Sequence, residues 1–201
     1  MNIWLVVADE GEIPFGADNG FVSKIIVTGI GCSKTIENLG VELEKEVPDM
    51  IICFGLCGSV NRNLKVGNTV IATQVRYRKP GTLMTQRLDI DTTRIFPRTI
   101  NLKKGVEKGV FQTFHGMVRH RFGISRGVVA VDQETYHVTA LAKKYNVPVL
   151  VAKVVSDRVP FIPTTVNKKF RKLKVNYKYA KGSLNLLWLY VVQKIKTCPT
   201  K

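Results

Sequence analysis

Three carboxylates stand where apolar runs give out. Glu12 lies in the acidic loop "ADEGE" after the first run, Glu134 in "VVAVDQET", and Asp157 directly after "VLVAKVV". A carboxylate can accept hydrogen bonds, carry a proton in acid–base chemistry, or cap a helix. Each of the three therefore has an ordinary reading: a solvated loop residue for Glu12, a partner of a helix dipole for Glu134, and an N-cap for Asp157. The last is weakened by Pro160 and Pro163, which make an immediate helix awkward. Ligands of open α/β sheets collect beyond the carboxyl ends of strands, so the same three residues could instead face one pocket and do chemistry there. Two glycine pairs join them, Gly29 and Gly31 in "VTGIGCSKT" and Gly55 and Gly58 in "IICFGLCGSV". Their backbone N–H groups could approach an anion or polar ligand, although a tight turn with positive φ explains each equally well. The first lacks the third glycine of a dinucleotide fingerprint.

The elements that would position these residues follow from periodicity. Short Val- and Ile-rich runs predict strands at Asn2 to Ala8, Lys24 to Thr28, Met50 to Phe54, Thr69 to Val75, Gly109 to Thr113, Gly127 to Val131 and Val147 to Val155. Helices are predicted between them. Ser33 is a plausible N-cap for "KTIENLGVELEKEV", with Ile36, Leu39, Leu43 and Val47 on one face. "QETYHVTALAKKYN" places Val138, Leu141, Ala142 and Tyr145 together, and Ser183 would cap "SLNLLWLYVVQKIK". The stretch from Lys79 to Val106 is poorly periodic and reads as loop. Strands alternating with helices predict a single α/β domain over residues 1–201.

Composition narrows the function classes. The 201 residues are enough to bury a real core. The apolar run Leu186 to Val192 falls far short of the roughly 20 residues of a membrane helix, so no membrane partner is expected. The N-terminus reads as a buried first strand rather than a signal peptide. Cys32, Cys53, Cys57 and Cys198 show no disulfide or metal spacing, which fits reduced thiols in a cytoplasmic protein. The histidines His115, His120 and His137 have no metal-ligand company, so no metal is expected; His115 is a weak pocket candidate. The net charge is +16, and eleven Lys and Arg residues with no acid occupy the stretch from Arg158 to the end. Such a block can bind nucleic acid or anionic surfaces, but without a nucleic-acid motif a solvated basic face is favoured.

The order of these motifs resembles the nucleoside phosphorylase superfamily, and within it the 5′-methylthioadenosine/S-adenosylhomocysteine nucleosidases. The matching pieces are "ADEGE", "TGIGCSKT", "PDMIICFGLCGSVNRNLKVGNTVIATQVRYR", "VVAVDQET" and "YNVPVLVAKVVSDRV", followed by a final amphipathic helix. The resemblance implies an α/β sandwich with a central mixed, twisted sheet flanked by helices. It further implies a homodimer or larger assembly that cleaves the N-glycosidic bond of a purine nucleoside without a cofactor. On that resemblance Asp157 would be the general acid to the base, oriented by Ser156, with its pKa raised by burial. Glu134, with Gln133 beside it, would hold the ribose, and Glu12 would activate water. Gly58 would lie in the substrate-binding turn, and Phe114 and Met117 would stack on the base.

The departures are specific. Gln133 stands where the family has Met, Leu56 where it has a small hydroxyl residue, and Cys53 where its phosphorylases carry Arg; the segment between Glu12 and Gly29 is short. A phosphate site therefore looks stripped, and hydrolysis is favoured over phosphorolysis. The second reading is a non-catalytic member that binds a nucleoside or polyanion.

Overall fold

The computed structural model describes residues 1–79, 82, 84–92, 106–118, 120–161 and 166–197, with side chains of the last stretch described from 177 onward. Cys198 and most of the predicted loop lie outside these residues. Eight strands form one mixed sheet: β1 (Ile3–Val7), β2 (Lys24–Val27), β3 (Met50–Ser59), β4 (Thr69–Arg78), β5 (Thr85–Asp89), β6 (Val106–Thr113), β7 (Val128–Asp132) and β8 (Val149–Arg158). Three helices accompany them, α1 (Cys32–Lys45), α2 (Thr135–Lys144) and α3 (Val166–Thr197).

The sheet path runs β2-β1-β3-β7-β6-β4-β5, and β8 pairs with both β3 and β4. The strands β3, β8, β4, β6 and β7 therefore close into a ring, with β1 and β2 extending it from β3 and β5 from β4. β8 runs parallel to β3 and antiparallel to β4. Its burial explains its composition: Leu150, Val151, Ala152, Val154 and Val155 are fully enclosed, as a strand covered on both faces requires.

Two cores lie on opposite faces. Leu39 and Leu43 of α1 and Val138 and Ala142 of α2 pack with Trp4, Ile51 and Val151. On the other face, Leu184, Leu187, Trp188 and Val191 of α3 pack with Leu5, Ile52, Phe54 and Val154. Trp188 meets both Phe21 and Phe54 edge-on, with ring centroids 5.7 Å apart in each case.

Several expectations are corrected. α1 starts at Cys32 behind Gly31, which has φ 103° and makes no side-chain cap bond, so Ser33 is already inside the helix. Its buried face is Cys32, Thr35, Leu39 and Leu43; Ile36 is exposed, and Val47 is exposed beyond the helix end. Ser183 caps nothing, because α3 begins at Val166 and runs through it. β3 does not stop at Phe54: Gly55 and Gly58 lie within the strand rather than in a turn after it. Gly55 has the positive φ expected, 132°, but Gly58 is not among the positive-φ glycines. The segment expected as loop contains β5, which pairs antiparallel with β4.

Candidate active site

Glu12 closes a short 3-10 turn, Glu10–Glu12, that Asp9 caps by accepting the Gly11 N–H at 2.9 Å. The turn points the Glu12 carboxylate into the molecule, where it accepts N–H bonds from Ala8 at 3.1 Å and Leu56 at 3.0 Å. Gly55 is glycine for this reason as well as for its φ. A Cβ at that position would lie 2.3 Å from Glu12 Oε2. Burial pushes the Glu12 carboxyl above its ordinary value, against the pull of the Lys153 ammonium and of the two N–H donors.

Glu134 stands at the mouth of α2, yet its carboxylate does not cap that helix. Oε1 accepts the Gly31 N–H at 2.9 Å, tying β7 to the first turn of α1, where the positive end of the helix dipole favours an anion. Asp132 takes the capping role instead, accepting the Thr135 N–H at 3.3 Å and the Thr113 hydroxyl at 2.8 Å. Behind both lies Lys153, 1% exposed, with its ammonium 3.4 Å from Asp132 Oδ2 and 3.9 Å from Glu134 Oε2. Burial opposes charge on Lys153, but the Cys53 sulfur and the carboxylates of Asp132, Glu134 and Glu12 together outweigh it and hold the ammonium well above the ordinary lysine range. Burial lifts the Glu134 carboxyl to about 7, with Lys153 acting against the shift and Asp132 adding to it.

Asp157 is half-buried and belongs to β8 itself, so it does not cap a following helix. The pairing of β3 with β8 slips between Cys57 and Gly58, so that Cys57 faces Val155 and Gly58 faces Asp157. Ser156 is the extra residue of this bulge, which re-aims its neighbours. The Ser156 hydroxyl lies 3.1 Å from Asp157 Oδ1 and 3.2 Å from the Cys57 carbonyl, two acceptors its single proton can serve. A Cβ on Gly58 would come within 3.5 Å of Asp157 Oδ1 and 3.2 Å of Val131, so the glycine keeps this approach open.

All three carboxylates line one cleft of about 230 Å³, together with Gln133, Ser156, Gly58 and Met117. Phe114 lines an adjoining apolar cleft of about 370 Å³ that shares Met117 and Val118 with the first. His115, the weak pocket candidate, is exposed and lines neither of these two clefts. His137 is buried away from the cleft, edge-on to Tyr77 at 4.7 Å. Leu56 contributes an apolar wall through its side chain while its N–H serves Glu12. Lys153 is the residue that sequence reasoning passed over, and Asp132, visible beside Glu134 at the end of the same apolar run, had been given no role. The signal available for Lys153 was a lone cation in a run, "VLVAKVV", that is otherwise apolar. Cys32, Cys53 and Cys57 are free and buried.

The site thus offers a protonatable carboxyl poised near neutrality, a second buried carboxyl held by backbone donors, and an acid at a strand bulge. Such a set can hold hydroxyl groups, position a water and pass protons.

Comparison with known proteins places this chain in a family. The family model for the phosphorylase superfamily matches residues 9–176. The 5′-methylthioadenosine/S-adenosylhomocysteine nucleosidase of Bacillus cytotoxicus is 23% identical over 154 residues, which cover 66% of this chain and 67% of that protein. Among solved structures, the S. pneumoniae 5′-methylthioadenosine/S-adenosylhomocysteine nucleosidase with a transition-state inhibitor aligns with a TM-score of 0.78 at 18% identity. That alignment covers 97% of this chain and 100% of the other. The corresponding enzyme of Colwellia psychrerythraea, in complex with adenine, aligns with a TM-score of 0.76 at 15% identity, over 96% of this chain and 95% of that one. These structures share the fold, and with the family match spanning most of its length, this chain belongs to the phosphorylase superfamily.

Proposed function

We propose that the protein is an N-glycosidase that hydrolyses a purine nucleoside of the methylthioadenosine or adenosylhomocysteine type. The observation that carries the reading is the convergence of Glu12, Glu134 and Asp157 on one cleft. Breaking a ribosyl–purine bond leaves electron density on the base and positive charge on the sugar. Asp157 donates a proton to the base nitrogen as the bond opens, with Ser156 orienting its carboxyl. Glu134 accepts hydrogen bonds from the ribose hydroxyls and sets the sugar relative to the nucleophile. Glu12 holds the attacking water and takes its proton as the new bond to the anomeric carbon forms. Lys153 balances the negative charge that this cluster would otherwise concentrate.

Water is favoured over phosphate as nucleophile. Phosphate needs fixed cations around it. Among the described residues no Lys or Arg lines the cleft, Arg62 included, and Arg76 and Arg78 are engaged elsewhere. Arg76 donates to Gln74 and to the Arg126 carbonyl, and Arg78 to the Thr82 carbonyl.

The test is turnover of methylthioadenosine, adenosylhomocysteine, adenosine and inosine, with and without phosphate. Free base should be released without phosphate, and Asp157→Asn should lower kcat by about 10²-fold or more. Strict phosphate dependence would make the protein a phosphorylase. Absence of turnover, with Asp157→Asn binding ligand as well as the wild type, would make it a binding protein.

A further inference from the structure

The long helix α3 has two unlike faces. Ala180, Leu184, Leu187, Trp188, Val191 and Ile195 are buried against the sheet. On the opposite face Tyr179, Leu186 and Leu189 are 73%, 70% and 64% exposed. Their spacing of seven and then three residues keeps them in one strip along the helix. Phe15, 88% exposed, sits beside that strip, because its N–H donates to Asn185 Oδ1 at 2.9 Å. Lys178, Lys181 and Lys196 are exposed on the same helix, and the chain carries no acidic residue after Asp157. None of these residues lines the cleft that holds Glu12, Glu134 and Asp157.

We propose that this face of α3 seats the protein on an anionic lipid surface. The lysines supply attraction to acidic headgroups, and Tyr179, Leu186, Leu189 and Phe15 supply side chains that enter the headgroup–acyl boundary. Tyr179 suits that boundary because its ring is apolar and its hydroxyl stays wet. Other occupants fit less well. A second copy would set lysines against lysines. A nucleic acid would use the lysines but leave the leucine tips without a partner. A protein partner needs a matching shape, whereas the strip is a ridge on a convex helix, and a lipid interface accepts a ridge without a matching groove. Among the described residues no helix is long and apolar enough to cross a membrane, so the association is peripheral. It goes beyond the sequence expectation of no membrane partner and leaves intact the expectation of no spanning segment.

The experiment is flotation of the full chain with vesicles of phosphatidylcholine alone or of phosphatidylcholine mixed with phosphatidylglycerol. Three forms are compared: wild type, Leu186→Gln/Leu189→Gln, and Lys178→Gln/Lys181→Gln/Lys196→Gln. Unchanged circular dichroism and melting would show that the exposed substitutions leave the fold intact. The wild type should float with the mixed vesicles and not with phosphatidylcholine alone. Each multiple variant should need about tenfold more lipid for half-binding, and added salt should weaken the wild type. The proposal is overturned if no form floats, or if the leucine variant floats as well as the wild type. It is also overturned if duplex DNA or an acidic protein competes the chain off vesicles in a leucine-independent way. Self-association that the leucine variant abolishes, with no flotation, would assign the face to a second copy instead.

Discussion

At the scale of single residues, the site is defined by charges that are buried together. Asp132 and Glu134 share Lys153, and Glu134 is left with a carboxyl lifted to about 7 by burial. The unfolded chain ionises that carboxyl near its ordinary value of 4.5, so between the two values the folded state binds the extra proton. Stability from this group is therefore full below the unfolded value, falls as pH rises toward about 7, and is level beyond it. Glu134→Gln retains an acceptor for the Gly31 N–H and removes the titration. Urea unfolding at about pH 5 and about pH 8 should show the wild type losing roughly 2 kcal/mol more than the variant over that interval. Equal losses would mean that Glu134 titrates normally in the fold. Glu12, also raised by burial, contributes a slope of the same sign in both proteins.

At the scale of elements, the residue that matters most is one without a side chain. Gly55 combines φ 132° with a backbone so close to Glu12 that any Cβ would meet the carboxylate. Gly55→Ala should cost about 1–3 kcal/mol and should lower kcat by roughly 10²-fold, because the carboxylate it displaces is the one assigned to the water. Pairing it with Glu12→Ala should recover part of the melting temperature but none of the activity. A single variant with wild-type kcat would show that Glu12 is not needed where it sits.

This glycine also shows why some elements were legible in the sequence and others were not. β1, β7, β8 and the first half of β4 announce themselves because burial on both faces favours Val- and Ile-rich runs, and β2 does so by its short run of Ile and Val alone. β3 was cut short at Phe54, since a glycine inside a strand looks like a turn until the carboxylate that excludes a side chain is seen. β5, "TQRLD", has no apolar run of its own and is a strand only because β4 templates it. α3 was begun too late because Gly182 and Ser183 resemble a boundary, whereas a single helical glycine costs only about 1 kcal/mol and packing overrides it. The three carboxylates were legible from their places at strand ends. Lys153 was not, since a buried charge and a polar interruption look alike in a string of letters. The bulge at Ser156 was equally hidden, yet it is what lets two consecutive residues, Ser156 and Asp157, both line the cleft.

At the scale of the whole molecule, the dominant quantity is the net charge of +16. Like charges confined to a compact surface repel, and the unfolded chain relieves that repulsion by expanding. Screening should therefore stabilise the fold: the melting temperature should rise by a few degrees between about 20 mM and about 200 mM NaCl, where the Debye length shrinks from about 20 Å to under 10 Å. A flat or falling profile would show that attractive pairs such as Lys24–Glu42 outweigh the repulsion.

The closed ring of β3, β8, β4, β6 and β7 has one more effect, on how the protein behaves when crowded with its own copies. Val- and Ile-rich strands recruit one another through unpaired edges, and closure gives each of the five ring strands a neighbour on both sides. Among the described residues only β2 and β5 remain as edges. Both are short and bear charge: β2 opens with Lys24, held by Glu42, and β5 exposes Gln86, Arg87 and Asp89. A chain with this much strand-forming sequence is thus kept from stacking on itself at two small addresses, each guarded by ions rather than by bulk.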